Sequence, residues 1–374
     1  MLQRRSFMAR AIAGATAGAA VVAAPAVRAQ AQIRWRLASS FPKSLDTIYG
    51  AGEVFAKAVS DATGGKMQVS VHPAGELVPA FGVVDAIQNG TVECAHTAPY
   101  YFFGKDETFA FDCAVPFGLN SRQQSAWMFE GNGMKLMREF YAAYNIVNFP
   151  MGNTGAQMGG WYRKEVKALA DIKGMKMRIG GFGGKVLAAI GGVPQNIPAG
   201  EIYPALEKGT IDATDWVGPY DDQKLGFNKV APFYYFPGWW EGGPQLSLYV
   251  NNKAFDALPA EYKAIVASAA SHAHLIMQAR YDGRNPDALK QLVGAGTKLR
   301  AMPRPVMDAA FKASQDLYSD LSNSNPRWKK VYEDWSKFRA DQVLWFRICE
   351  GAFDNFMAAQ NFTGGNASAP AKKA

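Results

Sequence analysis

The feature that most constrains the fold of this chain is a short segment that occurs twice. Ala86-Ile87-Gln88-Asn89-Gly90-Thr91-Val92-Glu93 and Ala205-Leu206-Glu207-Lys208-Gly209-Thr210-Ile211-Asp212 match in residue type at nearly every position, and Pro99-Tyr100 and Pro219-Tyr220 follow at almost the same distance. Each copy reads as the end of an apolar helix, a glycine cap, a strand and a Pro-Tyr turn. A chain with two such units is expected to form two α/β lobes of like construction. Ligands of α/β sheets bind beyond the carboxyl ends of the strands, so the segments around Tyr100 and around Asp215-Trp216 should face each other across a cleft.

Periodicity extends both copies. Ile33, Trp35 and Leu37 alternate with Arg34 and Arg36, as in a half-buried strand. An amphipathic helix carrying Ile48, Val54, Phe55 and Val59 follows, capped by Ser44 and ended by Gly64-Gly65, and Met67, Val69 and Val71 alternate again. The second unit opens on Met175, Met177 and Ile179, ahead of a glycine-rich turn. Residues 146–150 and 156–163 read as extended segments that cross between lobes, and Gly152, Gly155, Gly159 and Gly160 make them hinge candidates. After Asn251 the pattern is helical over 261–281, 287–292, 306–321 and 328–356. Residues 30–150 are thus expected mainly in the first lobe and 151–250 mainly in the second, with the crossings. Residues 251–360 should lie on both lobes, the last helix, with Trp335, Phe338, Val343, Trp345 and Phe346, spanning them or packing on another subunit.

Residues 1–29 read as a removable export signal of the twin-arginine type: Arg4-Arg5, a weak apolar run over 11–27, and the small-residue site Val27-Arg28-Ala29 before a start near Gln30. Removal takes Arg4, Arg5, Arg10 and Arg28 and no acid, so the formal charge of +8 falls to +4, and nucleic acid is not an expected partner. Residues 361–374 read as a disordered tail. No later segment offers the roughly 20 uninterrupted apolar residues of a membrane-spanning helix. Cys94, Cys113 and Cys349 allow one disulfide at most, none has zinc-type spacing, and apolar burial is the plainer reading of each.

Catalytic patterns are scarce. His72, His96, His272 and His274 are the only histidines; none lies in HExxH, and His272 and His274, two apart on a helix, point away from each other. Gly180-Gly-Phe-Gly-Gly-Lys185 lacks both the first glycine and the closing Ser or Thr of a phosphate loop and reads as a flexible turn. The middle of the chain offers one cation amid oxygen ligands and aromatics. Arg178, ending a strand, can grip a carboxylate through two parallel hydrogen bonds. Asp215 and Trp216 end another strand, Glu241 follows the exposed-looking Pro237-Gly238-Trp239-Trp240, and Gln157 lies on a crossing segment. Such oxygens suit a hard cation, calcium or sodium, rather than zinc. Taken singly, Arg178 also fits a surface ion pair, Asp215 and Glu241 fit turn caps, and the aromatics fit a core.

At these residues the chain resembles a family. Residues 37–47 (LASSFPKSLDT), 152–161 (GNTGAQMGGW), 177–181 (MRIGG), 203–213 (YPALEKGTIDA) and 237–243 (PGWWEGG) look like the DctP-type receptors of tripartite ATP-independent periplasmic (TRAP) transporters, and the match covers nearly all of the chain after the export segment. The branch it most resembles binds 2-oxo and 2-hydroxy monocarboxylates with a metal ion. The resemblance implies an α/β, two-lobed periplasmic binding-protein fold with hinge-connected lobes and long C-terminal helices. It implies closure on a small organic acid, delivery to a membrane permease driven by an ion gradient, and no catalysis. Carried over residue by residue, Arg178 would hold the substrate carboxylate, while Gln157, Asp215, the main chain of Trp216 and Glu241 would surround the cation; Tyr101 and Asn153 would belong to the pocket wall. Asp215 departs from the Glu that similar members carry, which leaves calcium against sodium open. A dicarboxylate ligand would need a second basic group, for which Lys43 and Lys105 are candidates. An exported metal-dependent enzyme, with Asp215 or Glu241 as base, is the remaining alternative. In the branch the chain resembles, the C-terminal helix can be exchanged between subunits, and the Trp-rich run from Trp328 fits a homodimer, with the exchange itself left open.

Overall fold

The computed structural model describes residues 32–360; the expected export signal and tail lie outside the described residues. Strand β1 (Ile33–Ser39) buries Trp35 and Leu37 and exposes Arg34 and Arg36. Strands β2 (Met67–His72) and β3 (Cys94–Thr97) run parallel to it on either side. The helix between β1 and β2 spans Gly50–Ala62 and buries Phe55 and Val59. It starts six residues beyond Ser44, which does not cap it: buried Leu45, Ile48 and Tyr49 hold the approach to the helix as a run of turns. Gly64 and Gly65 end it at φ +57° and +77°.

Strand β4 (Ile146–Asn153) closes the far side of this sheet. The chain then builds a second sheet from β5 (Trp161–Tyr162), β6 (Lys176–Arg178), β7 (Val193–Gln195), β8 (Ala213–Thr214) and β9 (Phe233–Phe236). Strand β10 (Gln245–Asn251) returns to the first sheet and β11 (Lys298–Ala301) joins the second. The orders are β2-β1-β3-β10-β4 and β11-β9-β5-β8-β6-β7. Each sheet thus centres on one strand flanked by two parallel neighbours, with an antiparallel strand beyond, β10 on β3 and β5 on β8. The repeated sequence is the local cause: both copies are helices, Val83–Gln88 and Ala199–Glu207, followed by Gly90 and Gly209 at φ +68° and +71°.

Three connections join the lobes: residues 154–160, residues 237–244 and the helix Ala260–Gly294. That helix is one element where the sequence reads as two. Pro286 sits inside it, and the carbonyl it leaves without a helical donor is that of Asp282, an exposed residue that solvent can reach. Residues 146–150, expected to cross, are instead ladder-paired in the first sheet. The last stretch breaks at Cys349 into Pro326–Ile348 and Glu350–Ala358. Trp328 and Trp335 point into the chain's own core. Trp328 lies 4.4 Å from Phe111 of the first lobe and 5.4 Å from Phe182 of the second, ring centre to ring centre, and so wedges both.

The segments after β3 and β8 meet, as the repeat implies, with Tyr100 and Trp216 lining one cavity, and the loop after β6 joins them. Tyr100, one residue after the β3 turn, lies so close to the loop after β6 that a Cβ on Gly180 would stand 2.4 Å from Tyr100 Cε2. Gly180 has φ −90° and ψ 164°, which alanine adopts freely, so Gly180→Ala acts on the lobe contact alone. It should keep the lobes apart, raising the radius of gyration in small-angle scattering while the circular dichroism spectrum stays that of the parent.

Candidate functional site

Arg178 ends β6, between β8 and the edge strand β7, and its side chain is 1% exposed. Its Nη1 donates to Asp215 Oδ1 at 2.6 Å and to the Asp215 carbonyl at 3.2 Å, and Nε donates to the Ile197 carbonyl at 3.1 Å. Nη2 is buried with no partner. The guanidinium carbon lies 5.0 Å from the centre of a Trp216 ring. Burial opposes the charge, but the Asp215 carboxylate prevails and holds the guanidinium protonated. The surface ion pair that Arg178 alone would also have fitted is therefore ruled out: both partners are fully buried.

The oxygen-bearing residues come together through the main chain of the crossings. Gln157 N–H donates to the Glu241 carbonyl at 3.1 Å, Gly238 N–H to the Gln157 carbonyl at 2.9 Å, and Met158 N–H to the Val217 carbonyl at 3.2 Å. These three bonds bring one residue from each crossing strand and the turn after β8 to one place. Gln157 Oε1, Asp215 Oδ2 and Glu241 Oε2 are all buried there without a donor. A buried polar atom left unpaired costs about 1–3 kcal/mol, so three acceptors and one guanidinium N–H gathered together call for a bound group.

The carboxyls report the same lack. Burial raises the Asp215 pKa against the pull of Arg178, and burial together with repulsion from Asp215 raises that of Glu241 well above the usual range. The three acceptors fit a hard cation, and the Trp216 carbonyl, to which no donor bonds among the described residues, is a fourth candidate oxygen. Among the described residues no group of three or more His, Cys, Asp or Glu could hold a metal, so a cation here must draw on amide and main-chain oxygens as well. A narrow cavity adjoins these groups, walled by Phe41, Ile48, Tyr100, Tyr101, Trp216 and Leu246, with Gln157 and Glu241 among its polar lining. In this closed form its free space, about 10 Å³, is that of roughly one water molecule.

Tyr101 lines the cavity, and burial pushes its hydroxyl up to about 12. Asn153 does not reach it: its amide donates to the Gly243 carbonyl at 3.0 Å and accepts from Gly155 N–H at 2.9 Å, so it braces the crossings. Trp239 and Trp240, which look exposed in the sequence, are buried, because Trp239 stacks on Phe117 and Trp240 packs edge-on against Trp239. Gly180–Lys185 is no loose turn but the first turn of the helix Gly181–Ala189. Lys43 is exposed and Lys105 pairs with Asp85 at 2.6 Å on the surface, so neither faces Arg178. The three cysteines are free. Tyr100 lines the cavity, as its place in the repeated Pro-Tyr pair implies, while Phe41, Ile48 and Leu246 are wall residues that reading the sequence for polar ligands passes over.

Two lobes closed over a small cavity, with one unpaired guanidinium N–H and three unpaired side-chain oxygens buried at or beside it, define a receptor for a small anion. The chain belongs to the bacterial extracellular solute-binding proteins, family 7 (DctP), whose description matches residues 38–325. It is 48% identical, over 87% of its length and 90% of the relative's, to a monocarboxylate 2-oxoacid-binding periplasmic protein of Nostoc sp.. Among solved structures, a TRAP transporter solute-binding protein from Bordetella bronchiseptica, a dimer with copurified calcium and picolinate, is 52% identical with a TM-score of 0.87, covering 88% of this chain and 98% of that one. A TRAP periplasmic solute-binding protein from Colwellia psychrerythraea with calcium and pyruvate is 35% identical (TM-score 0.85; 87% and 99% covered), and one from Pseudoalteromonas atlantica with sodium and pyruvate is 38% identical (TM-score 0.84; 87% and 99%).

A cation must compete with the protons that the raised carboxyls hold. In the cation-free protein, carboxyls with raised folded pKa contribute stability that is present at low pH and is lost as pH rises through the folded value. Cation binding should therefore release protons, and the rise in melting temperature that calcium gives should be larger at pH 8 than at pH 5.5. Thermal unfolding at the two pH values, with and without chelator, measures it.

Proposed function

We propose that this protein is the periplasmic receptor of a TRAP transporter, that it binds a 2-oxo or 2-hydroxy monocarboxylate of the size of pyruvate or lactate together with a metal cation, and that it hands the acid to the membrane permease. The observation that carries the reading is the set of unpaired buried groups: one guanidinium N–H beside three oxygens. In this reading Arg178 holds the acid's carboxylate, and Gln157, Asp215, the Trp216 carbonyl and Glu241 hold the cation. The cation, when bound, supplies a second positive charge to the acid, and Tyr101 closes the wall.

Charge balance favours a monocarboxylate. One guanidinium and two carboxylates carry a net negative charge; a divalent cation and one monocarboxylate bring the enclosed site to neutrality, which a low-dielectric space demands. A dicarboxylate would leave one negative charge unmatched, and the lysines that could match it lie outside the site. Sodium balances the charge only if a carboxyl keeps its proton. The receptor reading is also favoured over the enzyme: His96, buried away from water, is held neutral down to about 3, and no histidine lines the cavity. Protein mixed at equal concentration with pyruvate and calcium should return the acid unchanged, whereas turnover would establish an enzyme.

Arg178→Ala should weaken pyruvate or lactate by about 100-fold or more, since it strips a buried carboxylate of its partner. Calorimetry at saturating calcium that finds the parent affinity in this variant would end the assignment.

A homodimer fits the C-terminal region. Leu344, Trp345, Ile348, Phe353 and Phe356 are each more than half exposed in a single chain, an apolar run of the kind that subunit contacts cover. Trp345→Glu combined with Phe356→Glu should halve the mass seen by light scattering, with the acid still bound.

A further inference from the structure

We infer that Asp222 is a positioning residue for the cation site: its carboxylate fixes the direction of the Trp216 carbonyl by holding the other end of the same peptide unit. The inference rests on the reading that Trp216 supplies a main-chain oxygen to a cation.

Asp222 lies in the first turn of the helix Pro219–Leu225 and is 1% exposed. Its Oδ1 accepts Val217 N–H at 3.2 Å and Gly218 N–H at 3.1 Å; its Oδ2 accepts Trp161 Nε1 at 2.9 Å and Tyr234 Oη at 2.7 Å. Four donors converge on its two oxygens, and they pull its pKa down against burial, which pushes it up to about 7. The Trp216–Val217 peptide is trans, so its C=O and N–H point in opposite directions from one rigid plane. With the Val217 N–H drawn toward Asp222, the Trp216 carbonyl is turned away from it. The next peptide unit, Val217–Gly218, is held at both ends, its carbonyl by Met158 N–H, one residue from Gln157, and its N–H by Asp222 Oδ1, which limits how far Val217 can turn.

The two oxygens of Asp222 divide the work. Oδ1 sets the turn, while Oδ2 ties the carboxylate to Trp161 on β5 and Tyr234 on β9, two rings stacked with their centres 4.0 Å apart in the second sheet. The candidate main-chain ligand is thereby referred to the rigid sheet of its lobe rather than to the flexibility of a glycine-flanked turn. Asparagine at 222 keeps the shape but turns an amide nitrogen, itself a donor, toward one pair of donors.

The test begins with parent protein stripped of metal by chelator and titrated by calorimetry with calcium chloride and, separately, sodium chloride. A parent that takes up neither ion removes the cation reading and this inference with it. Asp222→Asn should weaken the cation by about 10-fold or more, as expected for groups that orient a metal ligand. Terbium placed in the site should gain one coordinated water, read from its luminescence lifetimes in light and heavy water, as the carbonyl swings away. Tyr234→Phe removes one donor to Oδ2 but leaves Trp161 and the turn contacts; it should lower the melting temperature and cost clearly less cation affinity than the residue-222 variant. If Asp222→Asn does not fold, Asp222→Glu, which keeps the acceptors and displaces them by a methylene, takes its place with the same expectation. A parent that binds while the residue-222 variant binds equally well with unchanged terbium hydration overturns the inference alone, and so does a Tyr234→Phe that loses as much affinity as the residue-222 variant.

Discussion

The structure turns on one electrostatic constraint: Arg178, Asp215 and Glu241 are buried together in a space too small to hydrate them. Asp215 satisfies one face of the guanidinium through Nη1, yet Nη2 and one oxygen of each carboxylate remain unpaired. Removing one member of such a buried pair costs about 3–5 kcal/mol, because the other is stranded. A site built this way is incomplete as a protein structure alone, and its remaining bonds are left for groups that arrive from outside. Incompleteness of this kind links closure to occupancy: lobes that come together over an empty site bury these atoms unpaired, whereas lobes closing over cation and acid do not.

The scaffold meets that constraint by holding the polar groups through main-chain bonds and leaving the side-chain tips free. Gln157, Glu241 and the turn after Asp215 are bonded to one another through their backbones, so the separations among them follow from strand geometry. The lobes are joined on the other side by rings: Trp328 sits between Phe111 and Phe182, and Phe103 meets Phe182 edge-on at 5.4 Å. Within each lobe the sheets are held by strand ladders, whereas between the lobes the contacts on this side are made by side-chain rings.

The parts legible in the sequence are those that depend on local chemistry. The repeat marked the two units because a helix that must stop and turn needs a residue at positive φ, and Gly90 and Gly209 both occupy that conformation. Arg178 and Asp215 could be placed at strand ends for the same reason. What stayed hidden was non-local: nothing in Gln245–Asn251 says that it leaves the second sheet and pairs with β3 and β4 of the first. Pro286 reads as a helix end because sequence shows the lost hydrogen bond but not that the carbonyl left without a donor belongs to an exposed residue that solvent can reach. Asn153 is placed in the pocket wall by the family resemblance, which carries over a position but not the fact that Gly155 and Gly243 use both ends of its amide.

The same distinction bears on specificity. The apolar wall of the cavity, Phe41, Ile48 and Leu246, can reject an acid by size, but an added or missing methylene in such a wall is worth only about 1–3 kcal/mol. Discrimination among acids of similar length must come from the polar end, where a ligand that fails to supply acceptors for Arg178 or for a cation leaves buried charges unmatched. In the proposed receptor a 2-oxo or 2-hydroxy group beside the carboxylate gives the cation a second oxygen at a five-membered chelate distance, while a plain carboxylate offers no such neighbour. Selectivity for the oxygen next to the carboxylate, with tolerance in the tail, is what a site of this charge and shape is suited to produce.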